Sequence, residues 1–392
     1  MRLFARCASA ALLLIVPLCA VPNAVAQAGS PGRAAPAPLY RSAQAVPGQY
    51  IVTLAQDAAP DAVLEQLDLT PMFTYSDALN GFAAGLDPDQ LATVRDNPAV
   101  AAVEENSLVF AGEIGAGPAA TTSWGLDRID QHALPLDDQF TATGTGAGTT
   151  AYIVDTGIDY PHSEFGGRAV PGYDAIGDGG NGQDCSGHGT HVAGTVGGAT
   201  FGVANKTALV SVRVLNCEGK GTGAGIIAGF DWIARNGTQP AVVNASFGGP
   251  ASASVDNAVN ALADKGFLPV VAAGNDAIDA CGVSPARAVG VVTVGATDRS
   301  DKETAFSNHG GCLSLYAPGS GIVSALLGGG SATGEGTSMA TPHVTGVVAL
   351  YKAANPNATP AAISAWLAQQ STKDVLDVSA GSPDSLLYTA GL

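Results

Sequence analysis

The chain has 392 residues, enough for a large α/β domain with a smaller one beside it. A hydrophobic share of 46% against 13% charged residues excludes a disordered chain. A net charge of −17 without a basic cluster excludes a nucleic-acid partner, whose footprint would be positive.

Residues 1–26 read as a secretory signal, with Arg2 and Arg6 at its start, an apolar core over 10–18 and a small-residue cleavage site at Ala24-Val25-Ala26. That core is too short for a membrane anchor. Pro17-Leu18 before Cys19 lacks the small residues of a lipoprotein site. The expectation is a secreted, extracellular protein with no membrane contact after signal removal. Residues 27–46, rich in Ala, Pro, Gly and Ser, read as a linker.

Residues 47–112 carry a compact pattern. Strands are expected at 50–54, 72–75, 82–86 and 100–103, and helices at 61–67 and from Asp87-Pro88 onward, with Asp as N-cap and Pro in the first turn. The order β-α-β-β-α-β is the split, ferredoxin-like α+β unit. Residues 113–123 are Gly/Ala-rich, without pattern, and suit proteolytic cutting.

From 124 to 392 apolar strand runs end at Asp155, Leu215, Phe247, Asn275 and Ala296. Helical patterns cover 224–235, 255–265, 339–354 and 360–369. This alternation predicts an α/β domain, a mainly parallel sheet with helices on both faces. Sites in such sheets lie beyond the carboxyl ends of strands, where Asp155 and Asn275 fall.

Six cysteines include Cys7 and Cys19 in the signal. The remaining Cys185, Cys217, Cys281 and Cys312 favour disulfides in an exported chain, and four cysteines allow three pairings. The sequential choice, Cys185–Cys217 with Cys281–Cys312, is the favoured one. CxxC-type metal spacing is absent.

Ser338 opens the apolar run 339–354 inside Gly336-Thr337-Ser338-Met339-Ala340-Thr341-Pro342. A serine hydroxyl becomes a nucleophile only when a positioned base takes its proton, and a helix start aims N–H groups at the reacting oxygen. Alone, Ser338 would be an ordinary N-cap; the surrounding segment points to a nucleophile. His188, between Gly187 and Gly189, is the candidate base. His191 is assigned a structural role, since a zinc pair would want HExxH and a third ligand. Asp155 is the orienting carboxylate, preferred over Asp159 because it ends the buried strand directly. Asn275, after Val270–Gly274, is the candidate oxyanion donor; alone it would be a turn-forming Asn.

Asp155-Thr156-Gly157, His188-Gly189-Thr190-His191, Ala272-Ala273-Gly274-Asn275 and Gly336–Pro342 together resemble the four subtilase signatures. From about residue 47 onward the chain is similar to the proteinase K branch, in particular to aqualysin-like secreted proteases, and Trp124–Gln131 looks like that branch's mature amino end. The cysteines also stand where those enzymes bridge, in the sequential pairing.

The resemblance implies a subtilisin-like serine endopeptidase using an Asp155–His188–Ser338 triad, an acyl-enzyme and Asn275 in the oxyanion hole, with no cofactor for catalysis. It implies an inhibitor-type propeptide at 47–112, cut between Gly112 and Ala120, that aids folding and fills the cleft until then. Protein and peptide substrates would pair as an added strand along Gly219, Gly221 and Gly223. Ser246, Gly248, Ala272 and Gly274 would line the primary pocket and favour apolar residues before the scissile bond, with broad tolerance. Phe247 stands where relatives usually carry Leu. Asp127, Asp130, Gln131, Asp137 and Gln139 match a structural Ca²⁺ site, with a solvated acidic turn as the alternative. A second family cation site has Ser314 where an Asp is expected. The mature enzyme is expected to be monomeric. Two rivals are an α/β-hydrolase esterase, which would need G-x-S-x-G and the order Ser, Asp, His, and a catalytically dead subtilase scaffold, which the filled catalytic positions oppose.

Overall fold

The computed structural model describes residues 35–112 and 123–392. The expected signal, residues 27–34 of the linker and residues 113–122 of the processing segment lie outside the described residues. Among the described residues no helix is long and apolar enough to cross a membrane.

The amino-terminal part forms the split α+β unit. Ala45–Leu54 lies between Gly81–Gly85 and Val100–Ala111, with Phe73–Tyr75 at the outer edge, all neighbours antiparallel. Helices α1 (Pro60–Leu67) and α2 (Pro88–Asp96) each begin with Pro in the first turn, where its missing N–H is harmless. Asp87 accepts from the N–H of Asp89 (2.9 Å) and Gln90 (2.8 Å). Gln90 returns its side-chain carbonyl to the Asp87 N–H at 3.0 Å, completing a capping box. Val63, Leu64 and Val94 pack on Val52, Phe82 and Val103 as a core of this unit alone.

The last strand runs to Ala111, well past the expected end at Val103. Glu104, Glu105 and Asn106 interrupt its apolar pattern, so nothing local announces the extension. Its partners are distant: 108–110 pair with Lys220–Thr222, and 110–111 with Phe247–Pro250.

Residues 123–392 build a nine-stranded sheet in the order 372–373, 385–386, 315–318, 292–297, 268–272, 241–245, 150–155, 208–213, 169–174. Every pair is parallel except 372–373 with 385–386. Helices α3 (Trp124–Ile129), α4 (His188–Gly197), α5 (Gly223–Asn236), α6 (Ala253–Asp264), α7 (Thr337–Ala354) and α8 (Pro360–Gln370) complete it. Side chains alternate across each strand. Ala151 and Ile153 join the layer of α4, α7 and α8, whereas Tyr152 and Val154 join that of α5 and α6. The second layer also takes in Ile51, Tyr75, Ala83 and Val109, so the amino-terminal unit closes one face of the large domain's core.

Three strands stop short of their sequence expectation, at Arg213, Ala245 and Ala272, and one runs a residue beyond it, to Thr297. Phe247 instead begins a separate strand. Helix α4 was not expected at all, because its glycines dilute the helical pattern. They are there for close packing: a methyl at Gly189 would stand 2.1 Å from the Gly157 carbonyl oxygen. Both disulfides, Cys185–Cys217 and Cys281–Cys312, are formed.

Candidate active site

Asp155 ends a central strand and is fully buried. Its Oδ1 accepts from the Thr156 N–H and faces His188 Nδ1, each at 2.7 Å. A buried carboxylate is thereby partnered. His188 is the first residue of α4, after Gly187, whose φ of +100° belongs to the region that favours glycine. Asp184 fixes this helix start. It accepts from the N–H groups of Ser186 (2.9 Å), Gly187 (3.0 Å) and Thr190 (3.0 Å) and from the hydroxyls of Thr156 (2.9 Å) and Thr190 (2.6 Å). Asp184 went unnoticed in the sequence; an Asp three residues ahead of a helix-opening Gly is the turn signal that marks it.

His188 Nε2 is buried and has no hydrogen-bond partner among the described residues. Burial pulls the imidazole pKa down, but the charge and hydrogen bond of Asp155, with Asp184 behind, outweigh it, and the net shift is upward. Asp159 is occupied elsewhere, by Gln183 Nε2 (3.1 Å) and the Gly328 N–H (2.9 Å). His191 Nε2 donates to the carbonyls of Ile322 and Ala332, both at 3.1 Å, and burial lowers its pKa to about 4.

Helix α7 starts at Thr337, two residues before the expected 339, so Ser338 stands in its first turn. Gly336 precedes it with φ +143°. Asn275 Oδ1 accepts from the N–H and the hydroxyl of Thr337, both at 2.8 Å. That fixes the amide and leaves Nδ2 as its free donor. Thr337, a second residue sequence reasoning missed, also takes the Gly274 N–H at 3.1 Å. The Ser338 hydroxyl donates to the Ser246 carbonyl at 3.0 Å rather than to His188, and the Ser246 hydroxyl donates to the Ser338 carbonyl at 3.0 Å.

The extended strand of the amino-terminal unit leads into this site. Val109 stands opposite Gly221, and the Ala111 N–H donates to the Gly219 carbonyl at 2.9 Å. Phe110 stands opposite Gly248. Gly223 opens α5, next to the Ala224 N–H that Asn106 accepts at 2.9 Å. Gly112 comes next: a methyl on it would lie 3.4 Å from both Asn275 Nδ2 and Ser338 Oγ. Beside it opens a cavity of about 430 Å³, lined by Gly248, Ala272, Gly274, Ile278 and Val283 among others. Ser246 lies behind that wall, fully buried.

The acidic loop after α3 is organised by its own side chains. Asp127 accepts from the N–H groups of Asp137 (3.4 Å) and Asp138 (2.8 Å). Asp130 accepts from that of Thr141 (2.6 Å), and Asp137 from that of Gln139 (3.0 Å). Gln131 Nε2 donates to the Ala133 carbonyl and, at 3.0 Å, to that of Pro135. Among the described residues no three acidic, His or Cys side chains are gathered as metal ligands. Yet burial, with neighbouring carboxylates adding to it, holds Asp127 and Asp130 above the usual carboxylate range. Unneutralised charge among oxygen donors suits a hard cation. At the second family position Ser314 accepts the Thr293 N–H at 3.1 Å.

Comparison with known proteins accords with this arrangement. The model of the "Subtilase family" matches residues 146–385, and that of "Peptidase inhibitor I9" matches 70–111. An "Extracellular serine proteinase" of Thermus sp. (strain Rt41A) is 46% identical over 375 residues, covering 88% of this chain and 90% of that protein. "Proteinase R" of Parengyodontium album is 38% identical over 389 residues, 96% of this chain and 97% of its own. The crystal structure of a cold adapted subtilisin-like serine proteinase superposes with a TM-score of 0.68 at 48% identity, over 69% of this chain and 99% of that one. The chain belongs to the subtilase family: it is a secreted, subtilisin-like serine proteinase that carries an I9-type propeptide.

Proposed function

We propose that the enzyme is an endopeptidase that cuts through an acyl-enzyme on Ser338, with His188 as base and Asp155 as its orienting carboxylate. The observation that carries this reading is the seat of Gly112, against both the Ser338 hydroxyl and the Asn275 amide. Rotation of the hydroxyl from the Ser246 carbonyl toward the unpartnered His188 Nε2 brings nucleophile and base together. Such bonds tighten only in the reacting complex. The Ser338 proton passes to His188 Nε2 as Oγ bonds to the carbonyl carbon. Asn275 Nδ2 and the Ser338 N–H take up the charge on the oxygen. His188 then returns the proton to the leaving amine as the C–N bond breaks, and water reverses the sequence to free the acid. Asp155 keeps Nδ1 protonated and supports the imidazolium.

Domain limits follow from the same reading: signal 1–26, linker 27–46, propeptide 47–112, processing segment 113–123 and peptidase domain 124–392. The seat of Gly112 favours a first cut immediately after it. Substrates bind as the 108–111 strand does, along Gly219, Gly221 and Gly248, and the small, apolar walls at Ala272 and Gly274 select uncharged side chains before the cut with broad tolerance. Asp127, Asp130 and Asp137, with Gln131 and Gln139, would hold a structural Ca²⁺ that neutralises their charge; catalysis needs no cofactor.

The test is Ser338→Ala in the full chain. The variant is expected to accumulate as uncut precursor without peptide hydrolysis; a variant that processes itself and hydrolyses peptides overturns the assignment.

A further inference from the structure

A second cavity, of about 680 Å³, opens at the end of the large sheet opposite Asp155 and Asn275. Gln239, Gly266 and Val291 line it, each just ahead of a strand, 241–245, 268–272 and 292–297. Lys352 of α7 also lines it and is only 1% exposed. Its three ammonium protons meet three acceptors: Gln239 Oε1 and the Ala241 carbonyl at 2.8 Å, and the Gly266 carbonyl at 3.2 Å. All three acceptors are neutral, and among the described residues no carboxylate pairs with Lys352. Burial alone lowers its pKa, to about 8, so the side chain stays cationic at neutral pH. A buried charge normally has a charged partner.

Gln239 carries that charge into the cavity. Its Oε1 also accepts the Ala241 N–H at 2.8 Å, so both lone pairs are taken and the amide cannot turn over. Nε2 is left as the donor, on the side of Gly266, where an added methyl would stand 3.7 Å from it. Thr359, Pro360 and Ala361, at the amino end of α8, form another wall, and the helix dipole there adds potential of the same sign. Val289, 94% exposed, supplies an apolar rim with Val291 and Pro356. Asp264 is the one acid on the lining; it is exposed, and solvent screens it. We propose that this cavity binds the free carboxyl end of a short apolar peptide. The carboxylate accepts from Gln239 Nε2 over the Lys352 charge, and the last side chain rests on Val289 and Val291. Such peptides are what the proposed endopeptidase releases, so the source of the ligand rests on that reading, whereas the site does not. Lys352 lies 14 residues (352 − 338) along α7 from Ser338, about 21 Å at 1.5 Å per residue, so the ligand touches no catalytic group.

The test is calorimetric titration of the full chain carrying Ser338→Ala, whose cleft the 108–112 strand fills, with N-acetyl-leucine and with N-acetyl-leucinamide. One saturable site is expected for the acid and none for the amide. Gln239→Glu puts a carboxylate where that of the ligand would stand and gives Lys352 a charged partner. It is expected to weaken binding of the acid about tenfold or more, because like charges now face each other in a desolvated site. Lys352→Met removes the charge itself and is expected to weaken binding to a similar degree. If one of the two variants fails to fold, the other decides alone. The proposal is overturned if the acid shows no saturable binding, if the amide binds as tightly, or if the acid binds either folded variant as it binds the parent. A wild-type chain without peptide hydrolysis counts instead against the endopeptidase reading and leaves the site standing.

Discussion

At the level of single side chains, the proposed reaction turns on one amide and one ring. Asn275 has its carbonyl oxygen tied to Thr337, so only its NH₂ faces the cleft. Asn275→Ala is expected to lower kcat about 10²–10³-fold with little change in KM, a magnitude carried over from the equivalent donor in subtilisin, a relative. Steady-state kinetics on a peptide substrate check it, and an unchanged kcat removes Asn275 from that role. In the proposed role His188 acts as a base only when neutral, and its pKa is raised above the ordinary imidazole value because Asp155 outweighs burial. Activity should therefore rise with pH through a midpoint above 6.5, and kcat/KM against pH checks it. All four residues proposed for the reaction stand out in the sequence, since each sits in a short run with its own chemical logic. Asp184 and Thr337 were not, because their importance lies in which N–H groups they meet across the fold.

Helices and strands were legible where burial is one-sided or caps are local. The capping box of α2 and the Pro-led starts of α1 and α8 lie in contiguous residues. Helix α4 was hidden because its glycines answer to neighbours rather than to helix propensity. Gly189→Ala places a methyl 2.1 Å from the Gly157 carbonyl oxygen, and the strand carrying Asp155 has no room to retreat. Overpacking of this kind costs about 3 kcal/mol or more, so the variant should fold poorly and lose activity together; thermal melting of the uncut chain measures it. The loop after α3 yields a second expectation at this scale. Carboxyls held above their usual range remain stable when protonated and lose that contribution as pH rises, so at neutral pH Asp127 and Asp130 carry an unrelieved charge. Calcium should raise the melting temperature, and Asp127→Asn should blunt the rise. Equal melting with calcium and with chelator contradicts the site.

For the molecule as a whole, the far end of the long last strand of the amino-terminal unit was the least legible element, because both partners of residues 108–111 lie more than a hundred residues away. It joins propeptide to cleft, and the shared apolar layer joins propeptide to core. Stability should also carry the mark of two interior histidines. His191 and His343 are buried neutral, each with a pKa lowered to about 4 by burial. Lowered folded-state values mean the unfolded chain binds the extra protons. Their stability is full above the ordinary value near 6.5 and is lost as pH falls toward 4, roughly 3 kcal/mol for each ring. His188, shifted the other way, offsets part of this. Denaturant midpoints between pH 7 and pH 4 follow the loss.

The central claim is that the Ser338 hydroxyl attacks the peptide carbonyl. Labelling the processed enzyme with a fluorophosphonate and mapping the modified peptide tests it most directly. The account predicts one adduct, on Ser338, formed in step with loss of activity. An adduct on any other residue, or full activity retained with Ser338 modified, contradicts it.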